Sequence, residues 1–397
     1  MSEDVLKKLL RNEVKIYELE NIVGEEKAPE IRRKFLERKL HVDLKHIGSY
    51  TISPKNVRKN IENMIGAIQV PLGVVGPLKV LGEYASGEFY VPLATTEGAL
   101  VASVNRGCSV ITASGGAIAR VIDDKMTRAP VFKVQGVDHA LKVVKWIKDN
   151  WDTIKAAAES TTRHGKLVGF QYFIAGKNLF IRFKYHTGDA MGMNMATIAT
   201  NEASKVIEEK TGAKLIALSG NMCVDKKPAA LNLILGRGKT VVAEVKIPRE
   251  IVRKKLKTTP EDFVEVVYRK IYVGSALAGS YGFNAHFANI IAAVFIATGQ
   301  DVAQVVEGSN GITIAEVTES GDLYVAVYLP SLEIGTVGGG TSVETQREAL
   351  SIMGCYGSGN AKKFAEILAS TVLAGEISLI GALAAQHLAE AHKKLGR

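Results

Sequence analysis

Cysteine is scarce in this sequence, with three residues in a chain of 397. Cys108, Cys223 and Cys355 lie far apart, and no CxxC pair occurs. Zinc ribbons need paired cysteines and disulfide-rich domains need closely spaced ones, so neither kind of structure is expected. The spacing is typical of a protein in a reducing compartment, and we predict no metal site.

We also expect neither a secretory leader nor a membrane span in this chain. Its first fourteen residues, MSEDVLKKLLRNEV, are charged and amphipathic, whereas a signal peptide has an apolar central region. Reading along the sequence, we expect that no apolar run approaches the length of a span. These features predict a soluble, cytoplasmic protein with no membrane partner.

Two common nucleotide-binding signatures are missing as well. The Gly-Lys pairs at 165, 176 and 238 lack the earlier glycine that a Walker loop requires, and GxGxxG does not occur. The net charge of +9 favours anionic partners. Because lysines and arginines are scattered and RNA-module signatures are absent, nucleic acid is not an expected partner.

What the sequence does contain is an ordinary globular composition, with 47% hydrophobic and 23% charged residues. A chain of this length is too long for one small core, so two or three domains are predicted. Residues 1–60 alternate helical patterns, at 5–13 and 31–40, with loops. We predict a helical N-terminal region there.

Residues 129–217 predict a compact inserted domain. In order, they contain the strand VFKVQ, a helix over about 138–158, a hairpin turning at 176–178, a helix over about 193–210 and the strand KLIAL. The hairpin strands are rich in aromatic and β-branched residues, which favour strands. The order β-α-β-β-α-β is that of a split-βαβ, ferredoxin-like unit.

Residues 61–128 and 218–397 flank this insert and form the predicted large α/β domain. They contain apolar helices over 285–298 and 377–394 and a second hairpin, ITIAEVTESGDLYVAVYLP. Helices this apolar form a core or a subunit interface. The predicted fold class is therefore α+β, with a long central helix in the large domain.

Two adjacent lysines, Lys226 and Lys227, follow a strand-like run in the segment SGNMCVDKKPAA. Pro228 disfavours a helical backbone at Lys227, so we expect the pair on an extended loop. Neighbouring ammonium groups repel each other unless acidic groups or an anionic ligand meet them. Two interpretations are open at this point, an anion-binding loop and a solvated surface cluster.

Glycines cluster at three places, GDAMGMNM (188–195), GRGK (236–239) and GTVGGGT (335–341). Glycine lets backbone amides approach a phosphate, and GDAMGMNM leads into a predicted helix whose N-terminus can hold an anion. For GTVGGGT, a tight turn after a strand is the competing interpretation.

Three other polar positions have plain structural explanations. The segment TTEG at 95–98 opens a helix predicted to run to Arg106 and stop at Gly107, with a threonine cap and an acid in its first turn. Asp301 fits a helix N-cap. His387 lies near the apolar stripe of the last helix, where a lone histidine is more often a packing residue than a catalyst.

Taken together, long ordered segments of the chain resemble one family, 3-hydroxy-3-methylglutaryl-coenzyme A reductase. The segments that carry the resemblance are ENMIGAIQVPLGVVGPL (62–78), LATTEGALVASVNRG (93–107), MTRAP (126–130), 188–195, 219–239, FNAHFAN (283–289), GQD (299–301), IGTVGGGT (334–341) and AGEISLIGALAAQHL (374–388). They span nearly the whole chain. TTEG and DKKPAALN take the form of the first class of that family, whose members mostly use NADPH.

The resemblance implies two successive hydride transfers from NADPH. The thioester of 3-hydroxy-3-methylglutaryl-CoA becomes a thiohemiacetal, CoA leaves, and the bound aldehyde is reduced to mevalonate. This reaction needs a cation at the carbonyl oxygen and acids for the leaving thiolate and the final alkoxide. By similarity, Lys226 supplies the cation with Glu97 and Asp301 around it, and His387 protonates the CoA thiolate.

The resemblance also implies binding residues. Those for the hydroxymethylglutaryl carboxylate are Arg128, Ser219, Lys227 and Lys270, with Asp225 and Asn289 beside them. Those for CoA are Ser103, Asn105, Arg106, Lys257 and His286, with Tyr17 as a stacking face for the adenine. At Ser109 the chain departs from the arginine of animal members, which puts the contact with a CoA phosphate there in question.

NADPH is expected to lie across the inserted domain. The matching positions are Asp189, Ala190, Met191, Gly192, Met193, Asn194 and Met195, together with Gly338, Gly339 and Gly340. Arg163 stands where the family recognises the ribose 2′-phosphate. A cation there is the physical basis for choosing NADP over NAD.

In this family the pocket forms between subunits, with the lysine loop of one chain reaching the glutamate of its neighbour. The resemblance therefore implies a homodimer with shared active sites, or a tetramer built from it, with ENMIG at the interface. One alternative is a second-class enzyme that prefers NAD. Another is an inert CoA-binding or assembly protein, although every expected catalytic side chain is present.

Overall fold

A computed structural model describes the backbone of residues 2–395 and the side chains of residues 3–386. Within that part the fold is α+β, as predicted. The α-helices are α1 Ser2–Leu10, α2 Leu19–Val23, α3 Ala28–Leu40, α4 Pro54–Val57, α5 Leu100–Ala113, α6 Val137–Asp149, α7 Trp151–Glu159, α8 Met193–Thr211, α9 Ala230–Leu235, α10 Arg249–Ile251, α11 Pro260–Val266, α12 Ser275–Ala278, α13 Phe287–Thr298, α14 Val305–Gly308, α15 Glu344–Ile352 and α16 Ala361–Leu395.

Strands and tighter or wider helical turns complete the described chain. The strands are β1 Leu72–Gly82, β2 Ser86–Ala94, β3 Ala117–Arg128, β4 Val131–Lys133, β5 Lys166–Ala175, β6 Asn178–His186, β7 Lys214–Ala217, β8 Gly238–Ile247, β9 Ile312–Val317 and β10 Leu323–Leu332. The 3-10 turns are Ile16–Glu18, Val302–Gln304 and Gly339–Ser342, and the π-helical segments are Val252–Leu256 and Val267–Gly274.

The larger part of the sheet has the strand order β2-β1-β3-β8-β10-β9. Only β1 and β3 run parallel among these neighbours, and the other pairs are antiparallel. The hairpin predicted in 312–330 is present as β9 and β10. Alternate residues of β8 and β10, such as Val241 and Val327, are buried under the helices and build the main core.

Helix α16 is the central support of this core and packs against α5, α13 and β8. Its stretch Ala361–Gln386 is long and apolar enough to cross a membrane, but 83% of its most apolar part is buried inside the protein. Our expectation that no apolar run approaches that length was therefore wrong. Glu366 and Glu376 interrupt the run, and both are buried acceptors for backbone N–H groups of neighbouring loops.

The smaller part of the sheet has the order β7-β4-β6-β5, and its strand pairs are antiparallel. Helices α6, α7 and α8 share one apolar cluster with these strands. This is the strand order of a ferredoxin-like unit, in agreement with the predicted fold class. Strand β3 connects the two parts, because its last residues, Met126 to Arg128, pair with β6.

The helix predicted over 138–158 is two helices, α6 and α7, separated at Asn150. Asn150 has φ of −120° and ψ of 32°, which lie outside the helical region. Its backbone N–H and its side chain both donate to the Trp146 carbonyl oxygen at 2.9 Å. The prediction of one continuous helix was therefore wrong at this residue.

Helix α5 also differs from its prediction. It begins at Leu100 after a left-handed Ala99, has no side-chain cap, and continues through Gly107 to Ala113. Thr95 instead accepts the Glu97 backbone N–H at 3.0 Å in the preceding turn. Gly107 does not end the helix but lets it approach α16, since a Cβ at this position would overlap the Ala374 backbone.

Candidate active site

The two lysines lie on a loop between β7 and α9 whose backbone is unusual. Asn221, Val224 and Lys226 all have positive φ angles, 65°, 53° and 59°. Residues other than glycine adopt this region at some energetic cost, and they do so only where neighbours fix the backbone. The pair is on a loop, as predicted, but Lys226 is left-handed rather than extended.

Side chains from the segment after α13 hold this loop. Asp301 Oδ2 lies 2.8 Å from Lys226 Nζ, and Asp301 Oδ1 accepts the Ala303 N–H as an N-cap. Gln304 donates to Asp225 Oδ1 at 2.9 Å. Glu307 Oε1 accepts the Lys226 backbone N–H at 2.5 Å. The hydrogen bond that Lys226 donates to Asp301 raises the pKa of Lys226, which favours the protonated ammonium.

A buried cluster lies directly under the loop. Arg237 Nη1 is 2.5 Å from Glu333 Oε2, 3.2 Å from Asp225 Oδ1 and 3.4 Å from Glu307 Oε1. Burial raises the pKa of Glu307 to about 7 and that of Glu333 well above its ordinary value, despite the nearby guanidinium. The three carboxyl groups are close enough to bridge a metal ion, but Arg237 is the cation they meet.

Three of the predicted carboxylate-binding residues, Arg128, Ser219 and Lys227, lie close to Asp225. Burial alone would raise the pKa of Asp225, but Arg237 and the Gln304 hydrogen bond hold it below its usual value. Arg128 Nη1 lies 3.9 Å from Asp225 Oδ2. Lys227 donates to the Asp225 carbonyl oxygen at 2.9 Å, and Ser219 contacts Cys223 within the same loop. The structure thus brings Arg128, Asp225 and both lysines together.

A cleft of ≈ 910 Å³ opens beside Lys226 and Asp301. Two glycine-containing segments that the sequence singled out form its walls, and the predicted cofactor residues on them are Ala190, Met191, Gly192, Met193, Asn194, Met195, Gly338, Gly339 and Gly340. Lys59 and Asn60, which the sequence did not single out, also line it. The structure therefore places these backbone segments next to the charged pair.

The shape of this cleft depends on glycine. A Cβ at Gly299 would overlap the Gly340 carbonyl oxygen, so both residues are needed for the close approach of their loops. Gly338 and Gly339 have positive φ and open space where a Cβ would be. Helix α8, 19 residues long, begins in the cleft at Met193, and its N-cap residue, Gly192, offers no side-chain cap. Free backbone N–H groups there fit the phosphates of a dinucleotide.

Asp189 and Arg163 flank this cleft in different ways. The Asp189 carboxylate accepts the N–H groups of Gly359 and Ala361 at 2.7 and 3.0 Å, and so it caps the start of α16. Arg163 is exposed on the loop after α7. A Cβ at Gly165 in the same loop would overlap the Met195 side chain, so this loop lies against the start of α8.

Glu97 lies in a second cleft, of ≈ 660 Å³, which it shares with Asn105. Asn289 donates to Glu97 Oε1 at 3.2 Å and contacts His286 Nδ1 at 3.4 Å. Buried Glu376 accepts the His286 backbone N–H at 2.7 Å and fixes this loop. Among the described residues of a single chain, Glu97 forms no ion pair with Lys226.

The predicted CoA residues of α5 are engaged within the fold. Ser103 Oγ and Arg106 Nε each lie 2.9 Å from Ser378 Oγ on α16. Asn105 accepts the Gly76 N–H at 2.9 Å. Ser109, where animal members have arginine, accepts from Lys255 at 2.8 Å, so a cation does reach this position from another segment.

Three predicted residues lie away from both clefts. Lys270 lines a separate cavity of ≈ 460 Å³ between its π-helical segment and α16. Lys257 is exposed and left-handed, and Tyr17 is 68% exposed on the N-terminal segment. The side chain of His387 lies outside the described part of the chain, although its backbone belongs to α16.

Sequence reasoning missed the buried partners of the lysine loop, which are Arg237, Gln304, Glu307 and Glu333. Arg237 belongs to the GRGK segment, in which only the glycines were predicted to have a role. The spacing of Asp301, Gln304 and Glu307, three residues apart, was a usable signal, because it places polar side chains on one face of a tight helical turn.

The chain is similar to known proteins over nearly its whole length. A family model described as hydroxymethylglutaryl-coenzyme A reductase matches residues 28–397. The chain is 62% identical over 405 residues to a protein of Pyrococcus abyssi, covering 100% of this chain and 99% of that protein. It is 60% identical to a protein of Methanocaldococcus jannaschii, covering 99% of both. Both relatives are named 3-hydroxy-3-methylglutaryl-coenzyme A reductase.

Solved structures share the fold. A class II 3-hydroxy-3-methylglutaryl-CoA reductase from Streptococcus pneumoniae, bound to NADPH in open conformations, superimposes with a TM-score of 0.69 at 20% identity. The match covers 89% of this chain and 86% of that one. A second structure of the Streptococcus pneumoniae reductase gives a TM-score of 0.67, also at 20% identity.

Proposed function

Because the chain belongs to the hydroxymethylglutaryl-coenzyme A reductase family, we propose that Lys226, Asp301 and the glycine-walled cleft carry out its reaction. The enzyme reduces 3-hydroxy-3-methylglutaryl-CoA to mevalonate and free CoA, a step toward isoprenoids. NADPH supplies the two hydrides when bound. The observation that carries the proposal is the 2.8 Å pair of Lys226 and Asp301 at the edge of this cleft.

Lys226 is the cation for the carbonyl oxygen. Its ammonium keeps its proton because Asp301 holds it, and its loop faces the cleft. Negative charge that builds on the thioester oxygen, and later on the aldehyde oxygen, meets this ammonium in both reductions. A positioned donor of this kind contributes about 3 to 4 kcal/mol in a water-excluded site.

The remaining catalytic assignments follow the family motifs. Glu97 and Asp301 supply or hold protons around Lys226, and His387 protonates the CoA thiolate as it leaves. Arg128 and Lys227 meet the substrate carboxylate beside Asp225, which supports the proposal because the structure clusters these charges. Ser219, Lys270 and Asn289 complete that proposed set.

CoA and NADPH occupy different sides of the molecule in this proposal. CoA lies along α5, at Ser103, Asn105 and Arg106, with the further contacts Tyr17, Lys257 and His286. The dinucleotide lies across the start of α8 and the loop with Gly338 to Gly340, whose free amides and open space suit phosphates. Arg163 meets the 2′-phosphate, which favours NADPH over NADH.

We assign the enzyme to the first class, because TTEG at 95–98 and DKKPAALN at 225–232 take that class's form. The class II structures share only 20% identity, and they support the fold. We place the enzyme in the cytoplasm, since its one described helix long enough to cross a membrane is buried in the core.

A homodimer is the proposed working unit. In one chain Glu97 and Lys226 occupy separate clefts, and Lys270 lines a third. Apolar side chains next to the Glu97 cleft are unusually exposed, namely Ile68 at 80%, Leu72 at 55% and Val74 at 54%. Such a patch is typical of an interface, and a second subunit there would bring a lysine loop to Glu97.

The test follows NADPH absorbance after addition of 3-hydroxy-3-methylglutaryl-CoA, with oxidised cofactor counted per CoA released. We expect two NADPH per CoA, and we expect Lys226→Ala to lower kcat about a hundredfold or more because the oxyanion loses its cation. Lys210→Ala, at the exposed end of α8, is the matched control. One NADPH per CoA, or full turnover by Lys226→Ala, would contradict the proposal.

A further inference from the structure

Glu307 lies under the lysine loop, and the proposed mechanism does not use it. Its side chain is fully buried on α14. Asp301, Gln304 and Glu307 are three residues apart, so the 3-10 turn and α14 present all three to the same loop. Asp301 meets the ammonium of Lys226, whereas Gln304 and Glu307 meet the chain that carries it.

The backbone of Lys226 needs such a contact. With φ of 59°, Lys226 lies in the left-handed region, which residues other than glycine rarely adopt. Its N–H points into the protein, where Glu307 Oε1 accepts it at 2.5 Å. A buried N–H without an acceptor is destabilising, so removal of the acceptor would favour a different backbone at this residue. The direction of the lysine side chain depends on that backbone.

Glu307 is otherwise a poor residue for this position. Its Oε2 atom is buried and has no hydrogen-bond partner among the described residues. An apolar side chain would fill the space without burying a carboxyl group. Unfavourable groups of this kind are kept where a function needs them.

We propose that Glu307 is a positioning residue for the reduction, because its Oε1 atom fixes the left-handed backbone of Lys226 and thereby directs the ammonium to Asp301 and the substrate oxygen. The inference rests on the proposed role of Lys226. Glu307 touches neither substrate nor cofactor in this assignment, and it acts through the lysine.

The acceptor role of Glu307 holds in either protonation state. Glu307 faces Arg237, Glu333, Asp225 and the Lys226 backbone. Burial raises the pKa of Glu307 to about 7 and the pKa of Glu333 well above its ordinary value. A carboxylate and a carboxylic acid both offer an oxygen that can accept the Lys226 N–H.

The first experiment compares Glu307→Leu with Glu307→Gln. Leucine removes the acceptor, and we expect kcat to fall about tenfold or more while KM changes less, since the lost alignment matters in the transition state. Glutamine keeps an acceptor oxygen without charge, and it should recover most of the lost kcat. Glu319→Leu, on the exposed β9–β10 turn, is the control.

The second measurement does not need turnover. Lysine acylation rates are followed by mass spectrometry at fixed pH, with Lys227 on the same loop as internal reference. Pairing with Asp301 protects Lys226 by keeping it protonated. Glu307→Leu should therefore raise the Lys226 rate roughly threefold or more relative to Lys227, because weaker pairing leaves more free amine, and Glu307→Gln should restore the protection.

The two measurements separate the possible failures. A wild-type enzyme that oxidises no NADPH with the substrate would overturn the proposed function, while the acylation rates would still report on Glu307. An active wild type with a folded Glu307→Leu variant of equal kcat and equal Lys226 protection would overturn the positioning role. A loss of kcat in both Glu307 variants, with no increase in the acylation rate of Lys226, would also overturn the positioning role.

Discussion

At the scale of single residues, the exposure of Lys226 decides how strongly it can act. In one chain its side chain is 43% exposed, although it pairs with Asp301. An exposed ion pair contributes little, and an oxyanion donor is effective only when water is excluded. In the proposed assembly, substrate, nicotinamide and the second subunit cover this ammonium before the reaction.

Arg163 allows a direct test of cofactor choice. It is exposed and has no described ion-pair partner, so it is available for a phosphate. We expect Arg163→Ala to raise KM for NADPH about tenfold or more while KM for NADH changes little, because one charge-assisted phosphate contact is lost. The measurement is kcat/KM for both cofactors, with Arg11→Ala on the N-terminal segment as the control.

If Arg163→Ala discriminates against NADH as strongly as the wild type, Arg163 does not read the 2′-phosphate. A wild type that prefers NADH would instead favour the second-class alternative. The two outcomes are separable because the first concerns the variant and the second concerns the unmodified enzyme.

Single residues were predictable from the sequence where a motif named them. Lys226, Asp301 and the glycines of the cleft stand in long segments, and the structure brings them together. Glu333 was not predictable in this way, since an acid in an apolar stretch has no local signal for the partner it meets, and the only signal for Glu307 was its spacing from Asp301 and Gln304. Their contacts join positions 70 and 96 residues from Arg237.

At the scale of elements, the packing of α5 against α16 positions the proposed CoA residues. Ser103 and Arg106 contact Ser378 one turn from the point where Gly107 meets Ala374. The glycine therefore sets the distance between the two helices. The sequence suggested a helix end at this glycine because glycine is common there, and only the neighbouring helix explains why the helix continues.

Replacing this glycine tests the packing. Gly107→Ala adds a Cβ that overlaps the Ala374 backbone, so we expect the free energy of unfolding to fall by about 1 to 3 kcal/mol or more. Gly274→Ala is the matched control, because its Cβ would only come within 3.4 Å of the Arg269 carbonyl oxygen. Denaturant unfolding checks both, and equal stability of the two variants would contradict the close approach.

At the scale of the whole molecule, the important feature is that Glu97 and Lys226 line separate clefts of one chain. The order of strands and helices in the ferredoxin-like unit was predictable from periodicity and turn residues, because those signals are local. Strands β1, β2, β3 and β8 of the larger part were not predicted. The separation of Glu97 from Lys226 in one chain was not a local property, and periodicity could not indicate it. The family resemblance accounts for this separation, because it implies that the two residues meet across an interface between two chains.

Mixing two inactive variants tests this arrangement. Glu97→Gln and Lys226→Ala are each expected to be inactive, but in a mixed dimer one site combines Lys226 of the first chain with Glu97 of the second. Random pairing should restore about one quarter of wild-type activity, since half of the dimers are mixed and each has one intact site. The measurement is NADPH oxidation after co-expression.

The control for this experiment mixes each variant with itself. If the co-expressed pair stays as inactive as either variant alone, while size analysis shows mixed dimers, the site is complete within one chain. A restored rate that depends on the ratio of the two chains would support a site shared between them.

Strand β3 gives the enzyme a mechanical property as well as an architecture. It belongs to both parts of the sheet, and its final residue, Arg128, pairs with β6 while its guanidinium lies near Asp225. A rotation of the ferredoxin-like unit would therefore move this residue. If Arg128 binds the substrate carboxylate and the nucleotide binds this unit, as proposed, then one continuous strand connects the two binding sites.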